Sequence, residues 1–81
     1  MYYVYIVQCS DNTYYTGYTT DVTKRVQAHN EKKGAKYTRS RTPVTLVYQE
    51  ASETKSLALR REAAIKRLTR KEKERLIAGQ A

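Results

Sequence analysis

The sequence predicts an α+β fold: a three-stranded, mainly antiparallel sheet flanked by helices, in the order ββαβαα. Three observations carry that prediction. Two runs rich in β-branched and aromatic residues, YYVYIVQ at 2–8 and TYYTGYT at 13–19, are split only by the turn cluster Ser10-Asp11-Asn12. A third run of the same kind, VTLVYQE, follows Pro43. Polar stretches with apolar residues at helical spacing lie between and after these runs.

The first two runs form a β-hairpin. Thr20 or Asp21 caps a helix over about 21–31, where Val22 and Val26 mark the buried stripe. Residues 32–43 read as a loop ending at Pro43. The third strand covers 44–50, with Val44, Leu46 and Tyr48 alternating against Thr45, Val47 and Gln49. Ser52 or Thr54 starts a second helix that runs to about Leu68. Its inward side is traced by Leu57, Ala58, Arg61, Ala64, Ile65 and Leu68. Thr69 and Glu72 have the spacing of a capping box and start a short third helix ending near Gly79. Residues 1–81 show no repeat and no linker, so they read as one domain.

Hairpin parity decides which tyrosines meet. A three-residue turn sets Cys9 opposite Thr13, Val7 opposite Tyr15, Tyr5 opposite Gly17 and Tyr3 opposite Thr19. Opposed residues project from one face, so Tyr3, Tyr5, Tyr15 and Gly17 share a side. Val4 and Ile6 share the other with Tyr14, Thr16 and Tyr18. A two-residue turn would separate Tyr5 from Tyr15. The chain has eight tyrosines and no Phe or Trp, although Phe fills a core without a hydroxyl to satisfy. Gly17 opposite Tyr5 leaves open space beside a phenol. The plainer account is amphipathic packing, and for Tyr14, Tyr18 and Tyr48 it is the better one.

The net charge is +8 and the pI about 9.8. It is uneven: residues 1–31 carry net −1, residues 32–43 carry five cations and no anion, and residues 44–81 carry net +4. Such a basic loop and basic C-terminal half fit a phosphate backbone, with a solvated basic face as the alternative. Lys32, Lys33, Lys36, Arg39 and Arg41 are the loop's cations, and Tyr37 among them could stack on an unpaired base. Cys9 is alone, so no disulfide is expected, and no apolar run is long enough to cross a membrane. MYYVYIVQ lacks the basic start of a secretory signal, which makes cytoplasm the expected address.

Two further positions stand out. Arg25 and the single histidine, His29, are four apart and border the apolar stripe of the first helix. Each has an ordinary reading, as a surface cation and as a residue at a helix C-terminus. Glu62 lies four after Ala58 and three before Ile65, inside the apolar stripe of the second helix. A carboxylate there is costly unless a cation or a metal meets it. Lys66, one turn on, is the simple partner.

Tyr3-Val4-Tyr5, nine residues, then Tyr15-Thr16-Gly17 resembles the paired motif of the GIY-YIG nuclease superfamily. Arg25, His29 and Glu62 follow in the expected order, so the resemblance covers Tyr3 to about Leu68. KGAKYTRSRTPV and EAAIKRL look most like the small stand-alone bacterial GIY-YIG proteins. Tyr3 stands where the name of the motif has Gly, and Thr16 stands for Ile. The resemblance implies a metal-dependent endonuclease that hydrolyses phosphodiester bonds with one divalent cation, Mg²⁺ or Mn²⁺, on Glu62. It further implies Arg25 facing the phosphate, and Tyr5 or Tyr15 activating water with help from His29. We expect Tyr5 as the base and Tyr15 as the orienting hydroxyl, with Tyr3 and Gly17 as motif positions. An ordinary phenol has a pKa of about 10, so the base needs cations beside it. DNA is the expected substrate over RNA, bound by a monomer away from membranes. Homing and repair relatives carry an added targeting domain, so tight sequence specificity is not expected of this chain, and a protein partner for targeting is compatible with that. Two other readings fit the residues: a nucleic-acid-binding module with little catalysis, and a subunit active only with a partner.

Overall fold

The computed structural model describes residues 1–79; Gln80 and Ala81 lie outside the described residues. Strand β1 (Tyr2–Gln8) runs through the middle of the sheet, with β2 (Tyr14–Thr19) on one side and β3 (Thr45–Ser52) on the other. Both pairings are antiparallel. Helix α1 (Val22–Asn30) follows the hairpin, and α2 (Lys55–Lys66) and α3 (Arg70–Ala78) follow β3. The order is therefore ββαβαα, as the sequence pattern requires.

The hairpin has the expected parity. Tyr3 pairs with Thr19, Tyr5 with Gly17 and Val7 with Tyr15. Cys9 N–H donates to Thr13 O at 2.8 Å, which closes a three-residue turn with Asn12 at φ 68°. Asn tolerates that left-handed backbone better than most residues. Two cores result, one on each face. Val4, Ile6, Tyr48, Ala58 and Ile65 form the first, beneath α2 and α3, with Tyr14 and Tyr18 packed against it. Tyr5, Val7, Cys9, Val22 and Val44 form the second, beneath α1, with Tyr3, Tyr15, Val26 and Leu46 at its margin.

Several details depart from the sequence pattern. β2 starts one residue late and β3 ends two residues late. The regular alternation expected of β3 is broken: Ile6 pairs with Tyr48 but Val7 with Leu46, so the register slips by one. Leu46 and Tyr48 consequently join opposite cores instead of one. On α2 the buried stripe is narrower than expected. Ala58 and Ile65 are buried, while Leu57, Arg61 and Ala64 are exposed, because α2 meets the sheet along one line and ends at Lys66. All three helices begin with a side-chain cap: Asp21, Thr54 and Thr69 accept from the backbone N–H of Lys24, Leu57 and Glu72. The Thr69–Glu72 capping box is complete.

Two arrangements fix the loop 31–43 where it leaves and rejoins the scaffold. Lys33 N–H donates to Ala28 O at 2.9 Å and Lys32 N–H to His29 O at 3.0 Å, with Lys32 at φ 64°. This is a Schellman ending with lysine where glycine is usual. Asn30 then bonds Val44 twice, donating through Nδ2 to its carbonyl at 3.1 Å and accepting from its N–H at 2.7 Å.

Candidate active site

Tyr5 is the centre of the site. It lies mid-strand on β1, fully buried, with its hydroxyl 2.7 Å from His29 Nε2. Arg25 Nε–H donates to the same hydroxyl at 3.4 Å. Helical spacing makes this possible: Arg25 and His29 stack one turn apart on α1 and both point at β1. His29 lies in the last turn of α1, as its helix-end reading has it, but it is fully buried and resists the charge that the macrodipole would favour. Its Nδ1 lies 2.8 Å from Thr38 Oγ1, and the Thr38 hydroxyl donates to Ala35 O at 3.0 Å. Arg25 also reaches the loop, donating through Nη2 to Gly34 O at 3.5 Å.

Two glycines permit this closeness. A Cβ on Gly17 would lie 2.7 Å from Tyr5 Cζ, so the space opposite Tyr5 is filled by the phenol itself and is not open to a ligand. A Cβ on Gly34 would fall on the His29 ring at Nδ1.

Tyr15 borders the network. Its ring meets His29 edge-on at 5.4 Å and stacks on Tyr37 at 5.9 Å with 22° between planes. Tyr37 in turn lies under the Arg41 guanidinium at 4.0 Å. Arg41 donates to Asp11 Oδ2 at 3.0 Å, so this cation is committed to structure. Lys32, Lys33, Lys36 and Arg39 are exposed and have no ion pair among the described residues. Tyr3 stays half-buried at the edge of the α1 core.

Glu62 approaches from the other side of the sheet. On α2 it stands between Ala58 and Ile65, its side chain only 16% exposed. Arg61 turns toward β3, where it bonds Glu50 at 2.9 Å. Glu62 lies about 100° further round the helix, close enough for its charge to act on Tyr5. Lys66 Nζ is 3.7 Å from its carboxylate. No three of His, Cys, Asp and Glu gather as a metal cluster among the described residues. A hollow of about 250 Å³ lined by Tyr48, Arg75, Leu76 and Gly79 holds none of these side chains.

The electrostatics oppose charge at rest. Burial pushes the Tyr5 phenol up from its ordinary value; Arg25 pulls it back down, while the charges of Tyr15 and Glu62 add to the rise. Burial, then Arg25, push His29 below the usual imidazole value. Tyr5 therefore stands as a phenol and His29 as a neutral ring near neutral pH.

A buried Tyr–His–Arg network on this ββαβαα frame is a constellation that can be compared with known families. Residues 1–75 match the model of the GIY-YIG catalytic domain. The chain belongs to the GIY-YIG family. It is 60% identical to a UPF0213 protein of Halobacterium salinarum over 94% of this chain and 99% of that one. A UPF0213 protein of Staphylococcus aureus is also 60% identical, over 94% of this chain and 93% of its own length. The small GIY-YIG subgroup is thus archaeal as well as bacterial. Among solved structures, the solution structure of a UPF0213 protein from Bacillus halodurans is 49% identical, with TM-score 0.62 over 96% of this chain and 84% of that one. A protein from E. faecalis gives 44% and 0.64 over 96% and 83%. No helix among the described residues is long and apolar enough to cross a membrane.

Sequence reasoning missed three GIY-YIG site neighbours: Gly34, Thr38 and Asn30. They lie in or beside an aperiodic loop, where no spacing rule applies. The single hint was a lone glycine between lysines.

Proposed function

We propose that this protein is a metal-dependent endonuclease that hydrolyses phosphodiester bonds in DNA within the cytoplasm. The observation that supports the reading best is the 2.7 Å contact between the buried Tyr5 hydroxyl and His29 Nε2, with Arg25 beside it. Tyr5 acts as the base. As water attacks phosphorus, its proton passes to Tyr5 Oη, and the Tyr5 proton passes to His29 Nε2. No free phenolate forms, which suits a buried phenol whose pKa is raised. The P–O bond to the leaving oxygen breaks as the new one forms. Arg25 faces the negative charge that builds on the phosphate, and the same cation works against charge on His29, so the proton His29 takes is held only while the phosphate's negative charge is near. Tyr15, edge-on to His29, orients water or phosphate.

Glu62 is the group to hold a divalent ion. A single, mostly buried carboxylate would suit Mg²⁺ or Mn²⁺, ions that proteins hold through one or two carboxylates. Held there, such an ion would supply neutralisation of charge on the phosphate. Lys32, Lys33, Lys36 and Arg39 grip the flanking backbone, and each phosphate contact adds about −0.9 to the slope of log affinity against log salt. A site that activates water does not need the 2′-hydroxyl of RNA, so DNA lies within its chemistry.

The test is cleavage of supercoiled, single-stranded and branched DNA in Mg²⁺ or Mn²⁺, beside Glu62→Gln and an EDTA control. Cutting by the wild type alone, and only with metal, is expected. Cutting by both proteins would remove Glu62 from the mechanism. Salt-sensitive binding without cutting would make the protein a binding module.

A further inference from the structure

We infer that Thr38 is a positioning residue: its hydroxyl, braced on Ala35 O, holds His29 in the Nδ1–H tautomer and leaves the Nε2 lone pair for Tyr5. The inference rests on the reading of Tyr5 and His29 as the proton-handling pair, but its geometry stands apart from any cleavage.

Each step follows from the one before. Tyr5 is fully buried, so its O–H needs an acceptor inside the protein. Two groups approach the oxygen, Arg25 Nε and His29 Nε2. Arginine has no acceptor, so the Tyr5 proton points to His29 Nε2. That nitrogen is then bare, and the neutral ring carries its proton on Nδ1. The Nδ1–H needs an acceptor in turn, and Thr38 Oγ1 lies 2.8 Å away. Thr38 has a single hydroxyl hydrogen, and Ala35 O takes it at 3.0 Å. Every donor in the network has one acceptor.

The opposite tautomer breaks this chain at Tyr5. With Nε2–H and Arg25 Nε–H both aimed at its oxygen, the Tyr5 hydrogen has no acceptor among the groups that meet it. A buried donor left without an acceptor is costly. The turn at Thr38 does not itself require the hydroxyl, because Thr38 N–H already donates to Ala35 O at 3.2 Å. Thr38 Oγ1 therefore has its distinctive partner in the ring. Gly34 lets the loop close over Nδ1, where any Cβ would strike it. The loop that carries Lys36 and Arg39 thus also sets which nitrogen of His29 is basic.

The single histidine makes the test direct, since every imidazole ¹⁵N signal belongs to His29. Long-range ¹H–¹⁵N correlations on the full chain, taken at mildly alkaline pH, read the tautomer. The wild type is expected to give the Nδ1–H pattern, and Thr38→Ser to keep it. Thr38→Val, isosteric but without the acceptor, is expected to shift the ring toward Nε2–H; Thr38→Ala serves if valine does not fold. An Nε2–H pattern in the wild type overturns the inference, as does an unchanged pattern in the Val or Ala variant. Cleavage adds a second readout: kcat falling about 10–100-fold in Thr38→Val with KM held, and restored by Ser. If no form cuts DNA while the wild-type ring shows Nδ1–H, the nuclease reading fails and the assignment to Thr38 stands. If the wild type cuts and its ring shows Nε2–H, the reverse holds.

Discussion

Tyr48 and Tyr5 sit in the two cores, on opposite faces of one sheet. Both are buried, and burial pushes both phenols up. Their partners differ. Tyr48 donates to Glu50 Oε1 at 2.6 Å, so losing its proton would set two anions together, and Glu50 raises it further. Tyr5 donates to a neutral ring and has Arg25 on its oxygen, which lowers it. Burial alone therefore does not mark a catalytic tyrosine. What sets Tyr5 apart is its neutral, proton-accepting neighbour; a cation beside the oxygen is common to both, since Arg61 lowers Tyr48 as Arg25 lowers Tyr5.

The largest test of that contrast is to delete each hydroxyl. Tyr5→Phe is expected to lower cleavage by roughly 10²–10⁴-fold, the usual worth of a general base. Tyr48→Phe is expected to leave cleavage near the wild-type rate while costing about 1 kcal/mol of stability, the net value of one hydrogen bond. Steady-state cleavage beside urea unfolding separates the two. Equal losses of activity would erase the distinction between the faces.

The glycines sharpen it. Gly17→Ala puts a Cβ onto the Tyr5 phenol, whereas at Gly79 the nearest atom is Arg75 O at 3.4 Å, an ordinary contact. Gly17→Ala is expected to displace the hydroxyl from His29 and to reduce cleavage by at least tenfold, about 1.4 kcal/mol in barrier. Gly79→Ala is expected to change neither cleavage nor Tm measurably. Paired Tm and rate measurements decide it.

A smaller effect lies in pH. His29 has a folded pKa below the unfolded value near 6.5, so below that pH the unfolded chain binds a proton that the folded chain resists. Stability is expected to fall as pH drops from about 7 toward 5, and His29→Gln to flatten that part of the Tm profile. A profile unchanged by the substitution would mean that His29 is not buried neutral.

The smallest concerns Lys32. It holds a left-handed backbone at φ 64°. Lys32→Gly is expected to raise stability by about 0.5–1 kcal/mol and to make the salt slope of DNA binding shallower by about one. A Tm shift checks the first and binding at two salt concentrations the second.

Much of this was legible in the chain. A three-residue turn fixed the parity that joins Tyr5 to Tyr15 and Gly17. The i, i+4 spacing put Arg25 and His29 together, and the interruption of an apolar stripe exposed Glu62. The slip in β3 was not legible, because a one-residue shift leaves no mark in a run of β-branched residues. Nor was the exposure of Leu57 and Ala64, since helical spacing names a face without stating how wide its contact is. Thr38 was hidden for a third reason. Its role depends on where an aperiodic loop folds back, which is a tertiary fact.

The Asn30 clasp carries a separate consequence. With both bonds to Val44 made by one side chain, the loop is a cassette closed at its neck. Its exposed outer residues, such as Lys36, can change without moving the strand that follows, because extra residues in a closed loop add only a slow logarithmic entropy. The outer part of this cassette can then vary while helix and sheet stay in place.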